Sequence, residues 1–229
     1  LRYPLVRRQT RNITLSGGLD LVNQRVRFAG LPLTTDKLRT LSVRADFDSF
    51  DPASIGSVAG YTAAEPAWRL GGSRELRHGI GIFGASKSCG PTLARCALPG
   101  VTPIGRLEAD PTAFVARGQM FVEYRPSPKL AFIATTRAQY APNPLLAYEE
   151  VSGGVFTIGR GYDPGAVSGD SGAGGSLEMR VGSLVPRTNK ALALQGYAFG
   201  DFMWVWNQDL IRTTPNPDKI YSVGGGVRA

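Results

Sequence analysis

The sequence has little of what most functional classes require. It contains one histidine, His78, and two cysteines, Cys89 and Cys96. A zinc site needs more ligands than two thiols and one imidazole provide. No stretch of about 18 apolar residues occurs, which excludes a transmembrane helix. A transmembrane barrel is not excluded, because its alternating strands escape a hydropathy average. Long amphipathic helices are also missing. The formal charge is +8, yet no basic run accounts for it. Arginines stand singly, as at Arg7, Arg8, Arg44, Arg77, Arg117, Arg137 and Arg180. With no nucleic-acid module and no basic–aromatic patch, no nucleic acid partner is expected. Such arginines suit one polar face of a sheet, or a water-filled lumen. No cofactor is called for.

What is abundant is glycine, 29 residues, with 16 prolines. Both weaken helices and punctuate strands, so the chain reads as all-β. Period-two alternation supports this. In 112–125, Phe114, Ala116, Gly118, Met120, Val122 and Tyr124 share one face, and Arg117, Gln119, Glu123 and Arg125 the other. Pro126-Ser127-Pro128 makes a turn, and 129–140 alternates again. Further strands are predicted at 12–21, 40–48, 74–85, 174–184, 190–206 (after a turn at 186–189) and from 219 onward, eight in all. Segment 51–68 fits neither turn nor strand.

Alternation alone fits a soluble β-sandwich binding module or a membrane barrel. Three features favour the barrel. Several strands exceed ten residues, where five or six is usual. Tight turns (126–128, 186–189) alternate with long loops (86–111, 141–173), and Tyr124, Tyr140 and Trp204 sit at strand ends like an interfacial girdle. Cys89 and Cys96, seven apart around a Gly-Pro pair, predict a loop disulfide in an oxidising compartment.

The loop after Tyr140 carries Gly153-Gly154, then Gly159-Arg160-Gly161-Tyr162-Asp163, then Gly169-Asp170-Ser171-Gly172, and leads into Leu177-Glu178-Met179-Arg180. This resembles the two-partner secretion transporters (TpsB), the hemolysin-activator or filamentous-hemagglutinin transporter family of the outer-membrane-protein-85 superfamily. The match is close over about 148–180, and pieces at 3–7 and 77–86 also resemble that family. A second family signature, Phe-x-Asp-x-Gly, corresponds to Phe199-Gly200-Asp201-Phe202-Met203, with methionine in place of the last glycine.

The resemblance implies a sixteen-stranded barrel of the bacterial outer membrane, preceded by a plug helix and two periplasmic POTRA domains. Eight strands and no POTRA-like pattern then predict that residues 1–229 are part of a larger barrel, with 141–173 folded inward. It implies that Arg160 pairs with Asp201 as a loop-to-wall clamp, with Glu178, Arg180 and Phe199 on the lumenal wall. It implies export of an unfolded partner protein, hemolysin- or adhesin-like, from a barrel set in outer-membrane lipid and lipopolysaccharide. An assembly factor that inserts other barrels shares the same loop. Gly169-Asp170-Ser171-Gly172 also looks like a serine-protease nucleophile segment, but His78 lacks the setting of a catalytic base, and no enzyme is expected.

Overall fold

The computed structural model describes residues 1–186, 193–209 and 216–229. Nine strands form one antiparallel sheet: β1 (Arg2–Arg7), β2 (Arg11–Phe28), β3 (Leu31–Phe50), β4 (Trp68–Gly79), β5 (Phe114–Ser127), β6 (Leu130–Tyr140), β9 (Ser171–Gly182), β10 (Gln195–Trp206) and β11 (Asp218–Arg228). Two short strands, β7 (Val151–Gly153) and β8 (Val167–Gly169), pair with each other in the loop between β6 and β9. The sheet is therefore one strand richer than the alternation predicts. The extra strand is β1, where Pro4 and a length of six residues hide the pattern.

The other differences also have local causes. The strand expected at 74–85 is β4, Trp68–Gly79, displaced because Gly71 and Gly72 lie inside it rather than before it. Strands β2 and β3 run much further than 12–21 and 40–48. They turn at Ala29-Gly30, both with positive φ, a two-residue hairpin connection. Beyond Thr40, where β4 stops pairing, the two strands continue as a ribbon for about 27 Å. Its alternation is lost because both faces are polar, with Asn23, Gln24, Arg25, Thr35, Asp36 and Lys37. Residues 52–55 form a single helical turn, with Asp51 accepting from the Ala53 amide. Of the turn expected at 186–189, only Pro186 lies within the described residues.

The two faces of the sheet have inverted polarity. Leu41, Val43, Leu76, Leu177 and Val181 point outward and are each 50–60% exposed. Glu123, Glu178 and Asp201 point inward and are at most 5% exposed. In water the outward face would leave far more contiguous apolar area than a soluble monomer tolerates. A second sheet covering that face, as the sandwich alternative requires, does not occur among the described residues. Aromatic rows bound the apolar band. Trp68, Tyr124 and Phe132 stand in register at one level, and Tyr140 is paired with Ala116 at the other. Eight residues separate Tyr124 from Ala116 on β5, about 26 Å of strand. That suits a hydrocarbon layer crossed by tilted strands. The fold is the wall of an antiparallel transmembrane barrel, open in this chain.

Much of the charge on the inner face is paired. Arg69 and Arg125 share Glu123, Arg44 faces Asp46, and Arg77 faces Asp20 and Glu75. Arg7 ends β1 in register with Asn12, and Arg8 lies in the turn to β2. Arg117, Arg137, Arg180 and Arg228 face inward as well, so part of the excess positive charge belongs to the lumenal wall.

Candidate functional site: the inward-folded loop

The connection between β6 and β9 lies against the inner face of the sheet. Its seat is apolar: Val151, Ile158 and Val167 pack on Met203 and Val205 of β10 and Ile220 of β11. Met203, the departure from the glycine of the signature, is fully buried there. Room for it comes from Gly153 above and Gly174 beside it on β9, where any Cβ would collide with the methionine. The loop then turns at Gly159, with φ of 119° and Ile220 pressed so close that a Cβ would clash. Gly154, φ 144°, closes against the carbonyl of Asp163. Gly161 also has positive φ but faces open space.

These turns bring Arg160 to the wall. Its backbone amide donates to Asp201 Oδ2 at 2.9 Å, Nε to the same oxygen at 3.0 Å, and Nη2 to Oδ1 at 2.7 Å. Nη2 also donates to Ser176 at 2.8 Å, and Nη1 donates to Glu178. Both acids are nearly buried, so each guanidinium edge satisfies an otherwise costly charge. The guanidinium lies 3.5 Å from the Phe199 ring centroid. Glu178 accepts as well from Arg180 Nε at 2.6 Å and Arg228 Nη1 at 3.2 Å, and Arg228 stacks on Tyr197. The structure thus gathers Arg160, Asp201, Glu178, Arg180 and Phe199 at one place. Tyr162 reaches sideways, its hydroxyl donating to the Tyr221 carbonyl at 3.0 Å. Asp163 is exposed, and its backbone carbonyl accepts from the Ala166 amide.

A second ionic centre holds the mouth of the sheet, and the residue pattern alone does not announce it. Arg106, in the 80–113 connection, donates Nη1 and Nη2 to Asp170 at 2.6 and 2.9 Å, and also pairs with Glu150 and Asp209. Asp170 is fully buried and takes the amides of Leu145 and Gln208, both at 2.7 Å. Beside it, Glu149 receives Arg77 and Arg117, and its carbonyl receives Gln139. Asp170 lies within the Gly-Asp-x-Gly stretch, which is the one signal that marks it. Its neighbour Ser171 is bonded to the backbone of Ala141, and His78 points outward from β4 opposite Phe114.

Burial opposes the charge of Arg106, but its bonds to Asp170 and Asp209 outweigh that, and its pKa is raised. Burial raises the pKa of Glu150, with Ser168 and Arg106 opposing and the charges of Asp170 and Asp209 adding to the rise. For Asp110, burial is outweighed by bonds from Thr112 and Asn143, and the pKa is lowered. The 80–113 connection itself is pinned by the Cys89–Cys96 disulfide, Cα–Cα 5.1 Å, and by Leu38, Ile104, Ala109 and Leu146 packed around Cys89. Among the described residues no group of three or more His, Cys, Asp or Glu is arranged to hold a metal ion.

Comparison with known proteins agrees with this geometry. CdiB from Escherichia coli superposes with a TM-score of 0.69 at 16% identity, covering 99% of this chain and 37% of that one. CdiB from Acinetobacter baumannii gives 0.62 at 17%, covering 99% and 34%. The chain thus spans about a third of the length of these proteins, and at such identity they establish the fold. No curated protein shows significant similarity. The family model for the haemolysin secretion/activation protein ShlB/FhaC/HecB matches residues 1–229 from end to end. A wall polar within and apolar without, carrying an arginine loop on its inner face, therefore belongs to the haemolysin secretion/activation family, the outer-membrane two-partner secretion transporters of Gram-negative bacteria.

Proposed function

We propose that this chain forms one arc of a larger closed barrel that exports a partner exoprotein, hemolysin- or adhesin-like, unfolded through its lumen. The observation that carries the reading is Arg160, which holds a long loop against a polar inner wall with five hydrogen bonds to the wall. A loop so held narrows the lumen at a fixed depth. A passing chain must slide along it or displace it. The charged lining keeps that path hydrated. Nucleotide has no role in this scheme, and folding of the cargo outside gives direction. POTRA domains, in this reading, lie outside residues 1–229, and lipopolysaccharide and other outer-membrane lipids meet the outward face.

Export from cells carrying the full-length transporter and its cognate exoprotein tests the proposal. Arg160→Ala is expected to abolish most export while the barrel remains folded and heat-modifiable in the membrane. The second reading is an assembly factor of the same superfamily. It predicts that the same variant depletes other outer-membrane proteins and leaves exoprotein export intact.

A further inference from the structure

The outward face holds a cation whose charge no carboxylate answers among the described residues. Arg74 lies on β4 between Ala45 and Gly118 and makes no ion pair or hydrogen bond among the described residues. Its guanidinium instead lies on Gly118, where a Cβ would collide with Nη1. Continuing across the sheet in register come Ala138, Ala173, Trp204 and Lys219. Three small residues in one row make the wall recede. The result is a groove of about 670 Å³ with Tyr140 and Trp206 on its rim and Arg74 at one end.

The depth of this row is informative. Arg74 stands two residues, about 7 Å of strand, inside the level of Leu76, Ala116 and Tyr140. An arginine can reach that far along the wall to the polar boundary. Lys219, exposed on the same hydrogen-bonded row five strands away, is a further outward-facing cation. A cation at this depth meets neither bulk water nor the middle of the hydrocarbon, but the phosphates of the lipid headgroups.

We propose that Arg74 anchors the phosphate of a membrane lipid, one of whose acyl chains lies in the groove over Gly118, Ala138 and Ala173. A guanidinium binds a phosphate through two parallel N–H donors, and the glycine beneath leaves room for this one to lie close to the wall. Larger side chains at 118, 138 or 173 would lift the acyl chain off the wall. The inference rests on the outward face being lipid-facing and is independent of the export reading.

The test uses the full-length protein in detergent, titrated with lipid A and with dephosphorylated lipid A, with bound lipid counted by native mass spectrometry. Lipid A is expected to bind at least tenfold more tightly than its dephosphorylated form. Arg74→Gln is expected to erase that preference. Ala138→Leu, which leaves Gly118 beneath the arginine and fills the groove, is expected to weaken both lipids. Heat-modifiable migration confirms that each variant is folded, and the two-lipid comparison on the unmodified protein needs no variant. Equal binding of the two lipids would overturn the site. So would an unchanged preference in Arg74→Gln. Full displacement of lipid A by millimolar inorganic phosphate would overturn it too, showing a free-anion site in place of a lipid site.

Discussion

Two of the arginines that hold loops in this protein do so in different ways. Arg160 binds Asp201 and Glu178, which stand on adjacent strands, β10 and β9, of a continuous hydrogen-bonded wall. Arg106 binds Glu150, Asp170 and Asp209, which lie in the loop, at its junction with β9, and beyond the end of β10. The first fastens a loop to a rigid surface. The second fastens loops to one another. A loop held to a wall can be released without disturbing the wall, whereas a centre made of loops loses its own geometry when one member leaves. Arg160 therefore suits a role in transport, and Arg106 the integrity of the mouth.

Substitution of Asp170 is expected to have the largest structural effect. Asp170→Ala would leave Arg106 without its main partner and orphan two buried amides. The expected loss is about 3–5 kcal/mol, read as an earlier thermal transition in detergent. Arg160→Ala is expected to cost less stability, about 1–3 kcal/mol, because the guanidinium is partly solvated, although export falls most. If Arg160→Ala proves the more destabilising of the two, the contrast between wall and mouth is wrong.

The seat of the loop gives a sharper probe. Gly159→Ala is expected to lose about 1–3 kcal/mol through strain and overlap with Ile220. Trimming the neighbour, in Gly159→Ala/Ile220→Ala, should recover part of the overlap but none of the φ strain. Full additivity in a double-mutant cycle would contradict the contact. Cys89→Ser is expected to loosen the 80–113 connection by about 2–3 kcal/mol, the entropy of a short closed loop, with faster hydrogen exchange there and little change at Arg160.

The smallest effect concerns pH. Burial holds the pKa of Glu150 in the folded protein above its ordinary value of 4.5, so the folded mouth favours the protonated form. Its contribution to stability is best below 4.5 and declines as pH rises through the folded value. Asp110 runs the other way: its support is present above 3.8 and lost as pH falls below it. Glu150→Gln should therefore leave the mouth unchanged or slightly more protected from exchange at pH 7. A clear loss of protection at pH 7 would show that its bond to Arg106 outweighs burial.

Much of the molecule is legible in its residues. Period two is intrinsic to a strand, so Phe114–Tyr124 and Leu130–Tyr140 display their faces directly. The same phase puts Asp201 with Phe199 on the inner side before any packing is known. Legibility fails where the covering partner is an irregular segment, as in the ribbon past Thr40, whose Val22 and Leu38 meet the 80–113 connection. It fails also where glycines interrupt the pattern, as at Gly71-Gly72. Arg106 is the hardest case. It is one arginine in an irregular segment, 64 residues from Asp170 and 103 from Asp209. Nothing local distinguishes it from a solvated loop residue.

The sequence by itself determined the all-β class, the two faces of each strand and the loop with its glycines. Side-chain period and backbone freedom are properties of a residue and its near neighbours. Only the tertiary structure decided the ninth strand, the seating of Met203 between Gly153 and Gly174, the mouth centre at Arg106 and the hydrogen-bonded row from Arg74 to Lys219. Each depends on register between strands and on contacts across many tens of residues, which loop closure and packing fix only when the whole sheet has formed.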